Sequence, residues 1–225
     1  MQEKKQEKEN TGDKINDFIQ RNRKAIFSIT GIIIILFIGA VVLLSVRESM
    51  DKKATEGLEE LTDKFKELKE NINDEDRKEE VDTFISELEA FAVKTKRFAG
   101  SKAWSMAAEI HAGREDWALA EEAFISSARA GEKTYLGPLS LFNAAAAAEE
   151  QGNFEQAIDL LKQCLSSKIE FPQAPRAQFA IGRLNEKLGN FPDALEAYGV
   201  IMSNWPDMPV WQQFARDRII AIEIQ

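Results

Sequence analysis

The sequence predicts an all-α protein: a single transmembrane helix near the N-terminus, a helical hairpin, and an α-solenoid ending in a C-terminal capping helix. Three observations carry this. Residues 25–46 hold no charged side chain, residues 54–98 place apolar side chains at helical spacing, and from residue 104 onward a pattern of large and small apolar residues returns every 37 residues.

Composition excludes several classes of function. With 44% hydrophobic residues, the 225-residue chain can bury a core. Cys164 is the single cysteine, which rules out an internal disulfide and any Cys-based zinc knuckle; the single His111 removes most metal-ligand sets and Ser-His-Asp arrangements. No cofactor and no metal are expected. The 38 acidic residues outnumber the 29 basic ones, giving a net charge of −9. Affinity for nucleic acid depends on Lys and Arg at phosphates, so nucleic acid is not an expected partner.

The stretch from Ala25 to Val46 has 22 residues. As a helix it reaches roughly 33 Å, against a hydrocarbon core of about 30 Å, and is expected to contact membrane lipid as a span. It is longer than a signal-peptide apolar region, Ser45-Val46-Arg47-Glu48 offers no small-x-small cleavage site, and no Cys follows for lipoprotein processing. A buried core helix is the alternative. Lys14, Arg21, Arg23 and Lys24 precede the stretch, and the basic residues after it are mixed with acidic ones, which favours a cytoplasmic N-terminus. Residues 1–24 then form a tail with seven basic and five acidic residues, of which 1–12 are polar enough to be disordered.

Residues 47–99 read as a helical lead-in. Ala54, Leu58, Leu61, Phe65, Leu68 and Ile72 make one stripe on a helix over about 51–71. Val81, Phe84, Leu88, Phe91 and Phe98 make a second stripe, and Asn73-Asp74-Glu75-Asp76 supplies the break and acidic capping. The short connection makes these helices antiparallel neighbours. The same spacing also suits a dimer seam through residues 51–98.

Residues 100–225 carry three repeats and a cap. Trp117, Phe154 and Phe191 form one column; Ala120, Ala157 and Ala194 a second; Phe124, Leu161 and Tyr198 a third; Ala108, Ala145 and Gly182 a fourth. Each unit reads as a helix, a turn containing Gly152 or Gly189 in the later copies, and a second helix whose Ala admits close packing while the larger residue fills the wedge against the next unit. The pattern resembles the tetratricopeptide repeat, with Trp104 at the aromatic start of the first copy and Pro206 near the end of the third. Leu141 and Gln178 depart from it where Trp104 would recur, as do His111, Ala148 and Asn185 at a column often filled by Tyr. Residues 209–225 form the cap, with Trp211, Phe214, Ala215, Ile219 and Ile222 inward and Gln212, Gln213, Arg216, Asp217 and Glu223 toward water.

No phosphate loop, HExxH, GxSxG or CxxC occurs, so no enzymatic activity is expected. Glu121-Glu122 and Glu149-Glu150 read as solvated faces, His111 as a satisfied interior or semi-exposed side chain, and Cys164 as a small core hydrophobe. The first helices of stacked pairs line a concave surface, and Phe142, Asn143 and Ala146 of one copy with Arg176, Phe179 and Arg183 of the next should face it. Two aromatics with two Arg beside them suit an extended or helical peptide carrying apolar anchors and a carboxylate. The competing reading is that Phe142 and Phe179 only pack between adjacent helices. Repeat proteins that clamp chaperone C-termini use Lys, Arg and Asn here; Asn143 and Arg176 match, but Ser105, Glu109 and Ala180 do not.

The layout of charged tail, single anchor, helical lead-in and small repeat domain resembles the YfgM-like ancillary subunits of the Sec translocon. Residues 172–224 are also similar to the C-terminal repeats of the cell-division coordinator that works with the Tol-Pal system. The first resemblance implies a bacterial inner-membrane protein with a periplasmic C-terminal domain, whose partners are translocon subunits and a periplasmic chaperone. The alternative is a structural scaffold assembling a cell-envelope or cell-division complex.

Overall fold

The computed structural model describes residues 16 and 18–224; the side chains at 25, 26, 29, 30, 43, 44 and 46–51 lie outside the description. The disorder expected for 1–12 also falls outside it. Among the described residues the regular structure is helical, with no strand.

The chain divides into two compact units, residues 1–53 and 54–225. In the first, the principal element is the N-terminal part of α1 (Arg23–Lys69). Consecutive large apolar residues from Ile32 to Ile38 are each more than half exposed. Among the described residues no helix is long and apolar enough to cross a membrane. The span expected over 25–46 includes undescribed side chains, and the fold does not establish it. The helix expected to start near 51 is instead the continuation of α1.

In the second unit, α1 ends at Lys69, and Asp74 caps a short 3-10 turn (Glu75–Arg77) by accepting the Asp76 N–H at 3.0 Å. Then follow α2 (Lys78–Lys94), α3 (Arg97–Gly113), α4 (Trp117–Ala130), α5 (Leu136–Glu150), α6 (Phe154–Leu165), α7 (Ala174–Lys187), α8 (Phe191–Asn204) and α9 (Pro209–Glu223). Consecutive helices from α2 to α9 pack against each other, α3 also meets α5, and α7 meets α9. The run of five alanines in α5 combines high helix propensity with the small size that close backbone approach needs.

The lead-in stripes are buried together. Phe65 and Leu68 of α1, with Val81, Phe84 and Leu88 of α2, form one core with Met106 and Ile110 of α3. Phe98 is a correction: Thr95 and Lys96 end the helix before it, so it opens α3, 42% exposed beside Tyr135.

The repeat columns are largely interior. Ala120, Ala157 and Ala194 have no exposed surface, and Phe124, Leu161 and Tyr198 are buried beside them. Ala108, Ala145 and Gly182 are buried too, while Trp104, Trp117 and Phe154 are partly covered against the same core. Phe191 departs from its column at 39% exposure. A chain of buried hydroxyls ties three helices: Ser127 donates to the Ser101 carbonyl at 2.7 Å and lies 2.8 Å from Ser140 Oγ.

One turn geometry recurs in every copy. The N–H of Asp116, Asn153 and Asn190 donates to the carbonyl five residues back, His111, Ala148 and Asn185, at 2.9, 2.9 and 2.8 Å. This six-to-one bond closes a helix through a left-handed residue. Gly152 and Gly189 adopt φ of 79° and 75°, and Glu115 takes the same position in the first copy at φ 61°.

Candidate peptide-binding groove

The first helices of the repeats, α5 and α7, face the same open space as α9. Their side chains line a cavity of about 440 Å³ that includes Phe142, Arg176, Phe179, Arg183, Trp211 and Phe214. Five of the six residues expected to face a peptide groove therefore meet; Asn143, half-buried on α5, lies outside the lining. Ala146 and Ala180 are on the wall, leaving room beside the rings.

The rings are shared with neighbouring helices and also face the cavity. Phe179 has its centroid 5.2 Å from Tyr198, 5.9 Å from Trp211 and 6.1 Å from Phe214. Phe142 lies 5.7 Å from Phe171, and the Arg176 guanidinium sits over it at 5.2 Å. Trp211 packs against the core of the third repeat, as the cap pattern predicts, and also lines the groove. Phe214 departs from the inward placement: it is 48% exposed and forms the groove wall, because α9 stands one repeat beyond α7.

Charge in the groove is arranged around Glu149. Both terminal nitrogens of Arg183 donate to its two oxygens at 2.5 Å, and Lys187 donates at 2.7 Å. The Arg183 hydrogen bonds, helped by Lys187 and opposed by burial, lower the Glu149 carboxyl to about 2. Glu149 is thus no solvated residue, and Arg183 already has a carboxylate. Next to the groove, Glu186 accepts from Arg218 and from Tyr198. Burial works to raise that carboxyl, yet the bonds from Arg218 and Tyr198 outweigh it and leave it lowered.

Glu121 is a second correction. It is buried, accepting from Gln151 at 2.7 Å and from Gln156. Gln212, expected toward water, turns in and donates to the carbonyls of Ile201, Met202 and Trp205 at 3.0–3.2 Å. His111 is buried as expected, but its Nδ1 has no hydrogen-bond partner. Cys164 is interior; burial pushes its thiol up to about 12, and Sγ donates to the Pro138 carbonyl at 3.1 Å.

Among the described residues, no cluster of His, Cys, Asp and Glu could hold a metal ion. The groove lining contains no Ser, Thr, Cys or His. Its chemistry is that of aromatic contact and ion pairing.

Residues 105–167 and 142–209 each match the sequence model of the tetratricopeptide repeat, the two matches starting one 37-residue period apart. A "TPR repeat-containing protein" of Treponema pallidum (strain Nichols) is 33% identical over 146 residues, which cover 64% of this chain and 60% of that protein. The chain therefore spans less than two thirds of the length of the curated relative it matches. With the recurring turns and buried columns, these matches show that residues 105–209 are built of tetratricopeptide repeats.

Proposed function

We propose that this chain is a membrane-anchored protein-interaction module that binds peptide segments of partner proteins in the groove between α5, α7 and α9. Its regions are the tail 1–24, an anchor at 25–46, the lead-in 47–99 and the repeat domain 100–225 with its cap. The observation that carries the reading is the convergence of Phe142, Phe179, Trp211 and Phe214 around one cavity. Volumes of this order and partly exposed rings are usual for recognition sites. The role is binding, not catalysis.

Two observations support the anchor. Residues 25–46 hold no charge, and the exposed residues Ile32–Ile38 are consecutive, so they fall on all sides of the helix. A helix apolar all round needs hydrocarbon or protein about it. The tail charges favour an N-terminus in the cytoplasm and a C-terminal domain in the periplasm of a bacterial inner membrane. On that topology the layout fits an accessory of the Sec translocon or of the periplasmic chaperone network.

A photo-crosslinking residue at position 142, activated in intact membranes, tests the role by mass spectrometry of what it captures. Translocon components and emerging clients are expected; replacing Phe179 with Ala, helicity retained, should abolish capture. A reporter fused after Gln225 should be active only outside the cytoplasm.

A scaffold role has its own support. Val210 and Ile220 of α9, with Ile224 just after it, are exposed apolar residues outside the groove lining. A fixed set of envelope proteins among the crosslinks would favour it. Dimerisation through 51–98 is less well supplied, because Phe65, Leu68, Phe84 and Leu88 are already covered within the chain.

A further inference from the structure

We propose that the groove selects an acidic peptide segment that inserts an aromatic side chain, and that Arg176 reads the carboxylate beside that side chain. This rests on the peptide-binding reading above and narrows its ligand. Phe214 is half exposed, and Phe142 and Phe179 are only partly buried, so ring surface remains for an aromatic guest in tilted or edge contact.

The charges select among peptides that have such a guest. Arg183 and Lys187 share one carboxylate, Glu149, and Glu186 is taken by Arg218 and Tyr198. Arg176 differs. It is exposed, has its guanidinium carbon 5.2 Å from the Phe142 ring centroid, and makes a long 3.4 Å hydrogen bond to Gln173. Among the described residues no carboxylate forms an ion pair with it. With one terminal nitrogen engaged by Gln173, the guanidinium keeps further N–H donors for a carboxylate. The charged residues of the lining are Arg176, Arg183 and Glu149, so the groove carries a net positive charge on a chain whose net charge is −9. Acidic partners are complementary to it, and basic ones are repelled.

Full-length protein in lipid nanodiscs, titrated calorimetrically with three blocked hexapeptides, tests the ligand class. The first is Asp-Glu-Phe-Asp-Phe-Glu; the second has Lys at every acidic position; the third has Ala at both aromatic ones. The first is expected to bind, each replacement to weaken binding by about tenfold or more, and Arg176→Glu to cause a similar loss with unchanged thermal unfolding. Added salt should weaken the first peptide only through its charges. Equal binding of the Lys peptide, or an unaffected Arg176→Glu protein, overturns the acidic ligand while leaving a peptide groove in place. Binding by none of the three overturns the proposal, as does a groove occupied by a second copy, seen as a dimer in sedimentation. If position 142 also captures no protein in membranes, the groove reading fails with it.

Discussion

Arg183 grips Glu149 with two hydrogen bonds of 2.5 Å, linking α7 to α5 across 34 residues, and Lys187 adds a third at 2.7 Å. A single carboxylate therefore joins two successive repeats. A carboxyl lowered from 4.5 to about 2 contributes stability that is complete above pH 4.5 and is lost as pH falls toward 2. Both cations are about two-fifths exposed, which limits the gain. Glu149→Gln should cost about 1 kcal/mol at pH 7 in urea unfolding, with the difference from wild type closing by pH 2. A difference that persists unchanged at pH 2 rules out the ion pair as its source.

The left-handed turn residue is Gly in two copies and Glu115 in the first. An L-residue there costs about 1 kcal/mol or more, partly offset by the greater freedom glycine has when unfolded. Glu115→Gly should raise stability by roughly 0.5–1 kcal/mol. Gly152→Ala and Gly189→Ala should lower it by about 1 kcal/mol each, although nothing lies within 4 Å of the added methyl. Their urea midpoints should therefore move in opposite directions from that of Glu115→Gly.

The parts of the fold that were legible are those that depend on residue size at a fixed spacing. Ala120, Ala157 and Ala194 return every 37 residues because each occupies the same close helix contact, and all three are fully buried. Polar placement was not legible. Glu121 is buried through Gln151 and Gln156, 30 and 35 residues later, and no local pattern marks a carboxylate with such distant partners. From the sequence alone Glu149 looks solvated and Arg183 available to a ligand, because their pairing exists only once α5 and α7 are side by side. Trp211 and Phe214 sit three apart on α9; their spacing marks one helix face but not what that face meets.

His111 makes a pH prediction of its own. Burial lowers its pKa from 6.5; Glu89, Asp116 and Asp82 act to raise it, and Arg114 to lower it. A base lowered in the folded state contributes stability present above pH 6.5 and lost as pH falls below that value, where the unfolded chain takes up the proton first. Replacing it with Leu also removes the unpartnered Nδ1. The His111→Leu protein should lose less stability than wild type between pH 7.5 and 5.5 in urea unfolding; equal losses would exclude His111 as the titrating group.

Gly182 and Tyr198 form a size-matched pair. A methyl on Gly182 would stand 2.5–2.8 Å from three Tyr198 ring atoms, whereas the equivalent pairs are Ala108 with Phe124 and Ala145 with Leu161. The third copy thus has its smallest residue opposite its only tyrosine, which is fully buried and whose hydroxyl donates to Glu186. Gly182→Ala should cost about 1–3 kcal/mol through overpacking. Tyr198→Leu should also destabilise, by opening a cavity and removing that hydrogen bond. The double variant reproduces the pair of the second copy and removes the clash, so its loss should fall short of the summed single losses by at least 0.5 kcal/mol. Strict additivity in a double-mutant cycle would mean that the glycine is not there to admit the ring, and the wedge between α7 and α8 would need another explanation.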